Sequence, residues 1–178
     1  MLKQLREQVL EANLEVVRRG LVLYTFGNVS GISREDNLVV IKPSGVPYER
    51  MKADDLVITD LDGRIVWGEL RPSSDLDTHI HLYRSFPEIG GVVHTHSEHA
   101  TAWAQACRPI PALGTTHADY FYGPVPITRQ LTADEIKNDY VRATGVAITE
   151  AFGNRDPMEV PAALVAGHGP FAWGRTPD

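Results

Sequence analysis

The strand candidates in this chain come in adjacent pairs, and that limits the fold more than any other feature. Val29 to Gly31 and Leu38-Val39-Val40-Ile41 flank a turn at Arg34–Asn37. Leu56-Val57-Ile58-Thr59 and Arg64-Ile65-Val66-Trp67 are joined through Asp62-Gly63, a dipeptide suited to a tight hairpin turn. Ala163-Leu164-Val165-Ala166 and Pro170-Phe171-Ala172-Trp173 flank Gly167-His168-Gly169. Strands joined by such short turns run antiparallel, because a parallel pair needs a long crossover. Helical periodicity fills the spaces between the pairs. Residues 2–19 carry a stripe of Leu2, Leu5, Val9, Ala12 and Val16, stopped by Gly20. A second helix is predicted over 74–85 with a serine as N-cap, and a third over 98–106 behind Ser97. A fourth is predicted over 133–152, behind the Thr132–Glu135 capping box. Thr115–Tyr122 reads as β-like, and Pro124-Val125-Pro126 as an edge or a loop. The expected fold is α/β: a central mixed, mostly antiparallel β-sheet flanked by helices, in a single domain over residues 1–178.

Charge narrows the partners. The chain has 17 Lys and Arg against 23 Asp and Glu, a net charge of −6, with no basic block. Nucleic acid and anionic membranes are therefore not expected partners. Any anion must be held locally, by backbone amides and a few cations. Cys107 is the single cysteine, so no intramolecular disulfide forms, and Cys-rich zinc patterns are absent. It has no activating neighbour beyond Arg108 and reads as structural. The N-terminus lacks the apolar run of a signal peptide, and a cytoplasmic protein is expected.

The chemistry centres on Gly91-Val92-Val93-His94-Thr95-His96-Ser97. Strand side chains alternate faces, so His94 and His96, two apart, project to one side. Two imidazoles on one face of a strand are half of a metal site. His168 is the best third ligand, since the glycines on both sides allow a tight turn and a close backbone approach. Three neutral imidazoles with an open position are the pattern of a catalytic zinc site. Asp75, on the first turn of the second helix, is the best carboxylate, although the helix dipole alone would favour an acid there. Asp75 and His79 are i, i+4 and form a competing constellation, ranked lower for want of a second imidazole on that face.

Three small polar dipeptides, Gly27-Asn28, Ser44-Gly45 and Ser73-Ser74, offer loop amides and side-chain donors, and Lys42 could add a charge. Serines at a helix N-terminus suit an anion, although turn chemistry alone accounts for each dipeptide. Asn28-Val29-Ser30 matches a glycosylation sequon but, without a secretory signal, is read otherwise. Thr115–Gly123 is dense in acid–base groups, with Asp119 as a candidate proton carrier and Tyr120, Phe121 and Tyr122 as core or interface aromatics.

Taken together, these segments resemble the class II aldolase/adducin family, and within it the L-ribulose-5-phosphate 4-epimerases. The carriers are Thr25–Ser30, Ile41–Val46, Pro72–Asp75, Val93–Ser97, Gly114–Gly123 and Gly167–Gly174, in this order. The resemblance implies zinc, or another divalent metal, on His94, His96 and His168, with Asp75 beside it as a ligand or an acid–base group. It implies that Gly27, Asn28, Ser44, Gly45, Ser73 and Ser74 bind a phosphorylated ketopentose, with Lys42 close by. Asp119 would be a proton donor or acceptor reaching a neighbouring subunit's site in a ring-shaped homotetramer. The implied reaction is epimerisation by retro-aldol cleavage and re-formation of a C3–C4 bond. A sugar-phosphate aldolase and a non-catalytic adducin-like interaction module are the alternatives. Relatives of this kind continue past Trp173-Gly174 into C-terminal helices carrying an acid–base tyrosine, and no tyrosine follows Tyr140 here. The expectation is therefore either a chain truncated at its C-terminus or a natural variant without that tyrosine, with the metal half intact and the proton-transfer half incomplete.

Overall fold

The computed structural model describes all of residues 1–178. Its strands are β1 (Asn28–Ser33), β2 (Leu38–Ile41), β3 (Val57–Asp60), β4 (Ile65–Trp67), β5 (Gly91–His94), β6 (Ala162–Leu164) and β7 (Pro170–Gly174). They form one seven-stranded sheet in the order β4-β3-β2-β1-β5-β7-β6. Every strand pairing is antiparallel, the three short hairpins β1–β2, β3–β4 and β6–β7 among them. The one parallel contact is an isolated bridge from Ile127 to Leu164, which places the Pro124–Pro126 region along the outer side of β6.

The helices are α1 (Lys3–Arg18), α2 (Leu76–Ser85), α3 (Glu98–Gln105), α4 (Thr115–Tyr120), α5 (Ala133–Asn138) and α6 (Tyr140–Phe152). Strand alternation sorts the core into two layers. Val39 and Ile41 of β2 join a large cluster with Leu76, Ile80 and Tyr83 of α2 and Ile148 and Phe152 of α6. Val40, between them, faces the opposite way and packs with Val9 and Val16 of α1. So α1 covers one face of the sheet, and α2 with α6 the other. The two helices of that layer approach closely at Gly145, where an added Cβ would lie 2.8 Å from the Cβ of His81. Arg34, in the β1–β2 turn, caps the C-terminal end of α2 by donating to the carbonyls of Tyr83, Phe86 and Ile89.

Three local expectations are corrected. Thr115–Tyr122 is not β-like: α4 forms there, with Ala118 N–H bonded to Gly114 O and Phe121 N–H to His117 O. Its β-branched and aromatic residues favour strands only on a half-buried pleated surface, and no residue of α4 is buried. Of the three aromatics read as core or interface, Phe121 packs against the core, and Tyr120 and Tyr122 are exposed, which leaves the interface alternative for them. The predicted 133–152 helix is two helices, broken at Asp139 (φ −153°, ψ 38°), although the Thr132–Glu135 capping box forms as expected. The N-cap of α2 is Asp75 rather than a serine, and Ser73 Oγ accepts from Asp75 N–H at 3.4 Å. Cys107 is exposed. No helix is long and apolar enough to cross a membrane.

Candidate metal centre

Register assembles the centre of the site. His94, the last residue of β5, pairs with Asn28 of β1 on one side and with Phe171 of β7 on the other. Directly opposed residues in antiparallel strands point to the same face. That face is the one α2 covers, since Val92, two residues before His94, packs in the α2 cluster. The His94 ring stacks on Phe171 at 4.2 Å and an interplanar angle of 17°. Its Nδ1 lies 2.9 Å from Pro170 O. A carbonyl only accepts, so Nδ1 carries the proton and Nε2 presents a lone pair.

His96 lies past the end of β5, in the segment leading to α3, and still reaches the same place. Its ring centroid is 4.9 Å from that of His94 and 5.0 Å from that of His168. His168 sits in the β6–β7 turn, where Gly167 adopts φ +75°. An added Cβ on Gly169 would approach Thr95 O at 3.0 Å and the His96 ring at 3.2 Å. The two glycines thus act as their spacing suggests, one for the turn and one for the close approach.

One nitrogen from each of His94, His96 and His168 fits within a 4.8 Å group. The Nε2 atoms of His96 and His168 are 3.0 Å apart. Two nitrogens on a tetrahedral zinc are about 3.3 Å apart, given Zn–N bonds of about 2.05 Å. Burial pulls His94 far below the ordinary imidazole range, and it lowers His168 as well. Neutral imidazoles are the form that binds a metal. Donor type, spacing and protonation therefore fit a divalent cation.

The triad opens onto a cavity of about 390 Å³. Gly27, Asn28, Lys42, Ser44, Gly45, Ser73, Ser74 and Asp75 line it as well. Asp75 is outside the tight imidazole group, and its Oδ2 accepts from Asn28 Nδ2 at 2.6 Å. Asn28 Oδ1 is buried without a partner. Asn28 is only 3% exposed, so the sequon around it is not a glycan site.

The two serine loops are tied into one cradle. Ser44 N–H donates to Arg71 O and Ser73 N–H to Lys42 O, both at 2.9 Å. The amides of Gly45 and Ser74 have no acceptor within the chain, as an anion site requires. Lys42 is buried, with Nζ near the carbonyls of Thr25 and Pro43 and 4.7 Å from the Tyr48 ring centroid. No carboxylate is among those neighbours. Burial lowers its pKa, a cost that a bound phosphate would offset.

The competing Asp75–His79 constellation does not form. His79 is fully buried, and its Nδ1 bonds Ser30 Oγ at 2.7 Å. Burial lowers its pKa to about 4. An unfolded histidine titrates near 6.5. Below that pH the unfolded chain takes up a proton that folded His79 refuses, so stability is lost as pH falls from about 6.5 towards 4. The loss is up to ~1.4 kcal/mol per pH unit for this residue. Urea midpoints of metal-free protein at pH 7.5 and 5 measure it together with the same effect at His94 and His168, and equal midpoints would contradict neutral buried histidines.

Asp119 is exposed on α4 and is not among the residues lining the cavity of its own chain. Tyr140 does line the cavity, and its hydroxyl is 3.0 Å from His168 Nδ1. Sequence reasoning missed it, because it falls inside what reads as one continuous helix.

The sequence matches the family model of the Class II Aldolase and Adducin N-terminal domain over residues 7–178. The chain belongs to the class II aldolase/adducin family. Solved structures agree with that membership. An L-fuculose 1-phosphate aldolase superposes with a TM-score of 0.81 at 26% identity, covering 97% of this chain and 76% of that one. The L-fuculose-1-phosphate aldolase of Thermus thermophilus gives 0.75 at 25% identity, covering 99% and 82%. YgbL of Klebsiella pneumoniae, with a proposed aldolase/epimerase/decarboxylase activity, shares the fold with a TM-score of 0.74 at 24% identity, covering 99% and 81%.

Proposed function

We propose that the chain is a metal-dependent epimerase that converts L-ribulose 5-phosphate to D-xylulose 5-phosphate by opening and re-forming the C3–C4 bond. One observation carries the reading: the histidine triad, Asp75 and the serine-loop cradle open onto the same cavity. A phosphate at Gly45, Ser74 and Lys42 would leave the sugar carbons to extend towards the imidazoles.

The substrate dictates the rest. The C2 carbonyl acidifies hydrogens on C1 and C3, not on C4, so simple deprotonation does not invert C4. Cleavage of C3–C4 does, once the aldehyde fragment rotates and is re-attacked on its other face. A divalent cation in the triad supplies a Lewis acid for the charge that develops on the ketone fragment. The cradle holds the aldehyde fragment by its phosphate through the rotation. Asn28 positions Asp75, which serves beside the metal as a ligand or an acid–base group. Asp119 of the partner subunit moves the proton of the C4 oxygen, in a homotetramer with sites between subunits. The exposed Leu113, Tyr120 and Tyr122 around Asp119 support such a contact.

The matches to L-fuculose 1-phosphate aldolases favour a second reading, a sugar-phosphate aldolase with the same bond cleavage. By family resemblance, aldolases carry glutamate where Asp75 stands and lack the Thr115–Gly123 run, which favours the epimerase. A non-catalytic adducin-like role is disfavoured, because such modules lose metal ligands and this chain keeps all three histidines.

Purified protein is expected to hold about one divalent ion per chain. Incubated with L-ribulose 5-phosphate, it should form D-xylulose 5-phosphate. Accumulation of glycolaldehyde phosphate and dihydroxyacetone alone would favour the aldolase. No turnover of either kind by the metal-loaded protein would sink both.

A further inference from the structure

The three imidazoles are not held alike. His94 Nδ1 is fixed by a backbone acceptor, Pro170 O, at 2.9 Å. His168 Nδ1 faces a side chain, the Tyr140 hydroxyl, at 3.0 Å. A metal ligand of this kind is oriented by the partner of its second nitrogen, which also fixes the tautomer. With Nε2 given to a metal, the proton of His168 sits on Nδ1, and Tyr140 Oη is the acceptor in reach.

The helix break explains how this tyrosine gets there. Asp139 (φ −153°, ψ 38°) ends α5, and Tyr140 begins α6. A continuous helix over 133–152 would hold residue 140 within a cylinder instead of at its start. Tyr140 lines the main cavity and also a neighbouring one with Ile136, Val165 and Gly167, so it bridges the α5–α6 corner and the β6–β7 turn. Its ring tilts over His168 at 6.0 Å between centroids.

We infer that Tyr140 is a positioning residue for the metal centre: its phenolic oxygen accepts from His168 Nδ1–H, fixing the ring with Nε2 towards the metal. This rests on the metal reading above. It gives α6, an element that contributes no ligand, a direct hold on the site. The phenolic proton is not used in that bond and stays free to donate to an acceptor in the cavity.

Zinc affinity and imidazole spectra of wild type and Tyr140→Phe test it, without reference to turnover. Phenylalanine keeps the ring, so circular dichroism and the urea midpoint of the metal-free protein should not change. Zinc affinity, from competition with a chelator, should fall about 10-fold or more. In zinc-loaded protein with labelled histidines, the His168 Nδ1 proton should be slowly exchanging in the wild type and lost to exchange in Tyr140→Phe. A merely packing role would leave that proton signal unmoved. Equal zinc affinity and an equally protected proton in the variant would overturn the inference while leaving the metal reading intact. A wild type that takes up no zinc would overturn both.

Discussion

His96→Asn is expected to cut turnover by more than ~10³-fold and to leave the fold in place. The size follows from what is lost. One of three imidazoles within the 4.8 Å group goes, and the two that remain are a weak chelate for zinc. A missing Lewis acid removes several kcal/mol of charge stabilisation, and each 1.36 kcal/mol is a factor of ten in rate. The fold should survive because His96 lies beyond the end of β5 and is only partly buried. Zinc content and rate should fall together, while the urea midpoint of the metal-free protein stays put. Retained turnover in a zinc-free variant would refute the triad as the catalytic centre.

Phe171→Ala should do the reverse, damaging the fold first and the site through it. Phe171 is fully buried and contacts both His94, at 4.2 Å, and His79, at 5.9 Å between ring centroids. Truncating a buried phenylalanine costs about 3–5 kcal/mol. In a domain of this size that lowers the melting temperature by roughly 10 °C. It also leaves the His94 ring without the surface that sets its plane, so zinc affinity should drop as well. Thermal denaturation of the metal-free variant and a zinc titration separate the two effects. A loss below about 1 kcal/mol would mean that the ring is not the packing platform of the site.

Much of this was legible in the chain. Asp62-Gly63 and Gly167-His168-Gly169 marked their hairpins because their turns demand particular backbone angles, and Gly63 and Gly167 do adopt positive φ. The His94–His96 spacing and the glycines around His168 pointed to the triad for the same local reasons. What failed depended on neighbours that a sequence does not display. Thr115–Tyr120 has strand-forming residues but no strand to pair with, and it winds into an exposed helix. The break at Asp139 interrupts no periodicity, so Tyr140 carried no signal. Asn28 read as a loop residue, yet it sits on β1 opposite His94, in a register set by a strand far along the chain.

The strand order has a temporal consequence. β5 lies between β1 and β7, so its two pairings join segments far apart in the chain. Loop-closure entropy makes such distant pairings slow to form. Made from its N-terminus, this protein can hold its serine loops and two of its histidines before β7 exists. The third histidine arrives in the turn that delivers β7 to β5. Completion of the sheet and completion of the histidine triad are therefore one event, and a chain grown only as far as β6 has no finished triad.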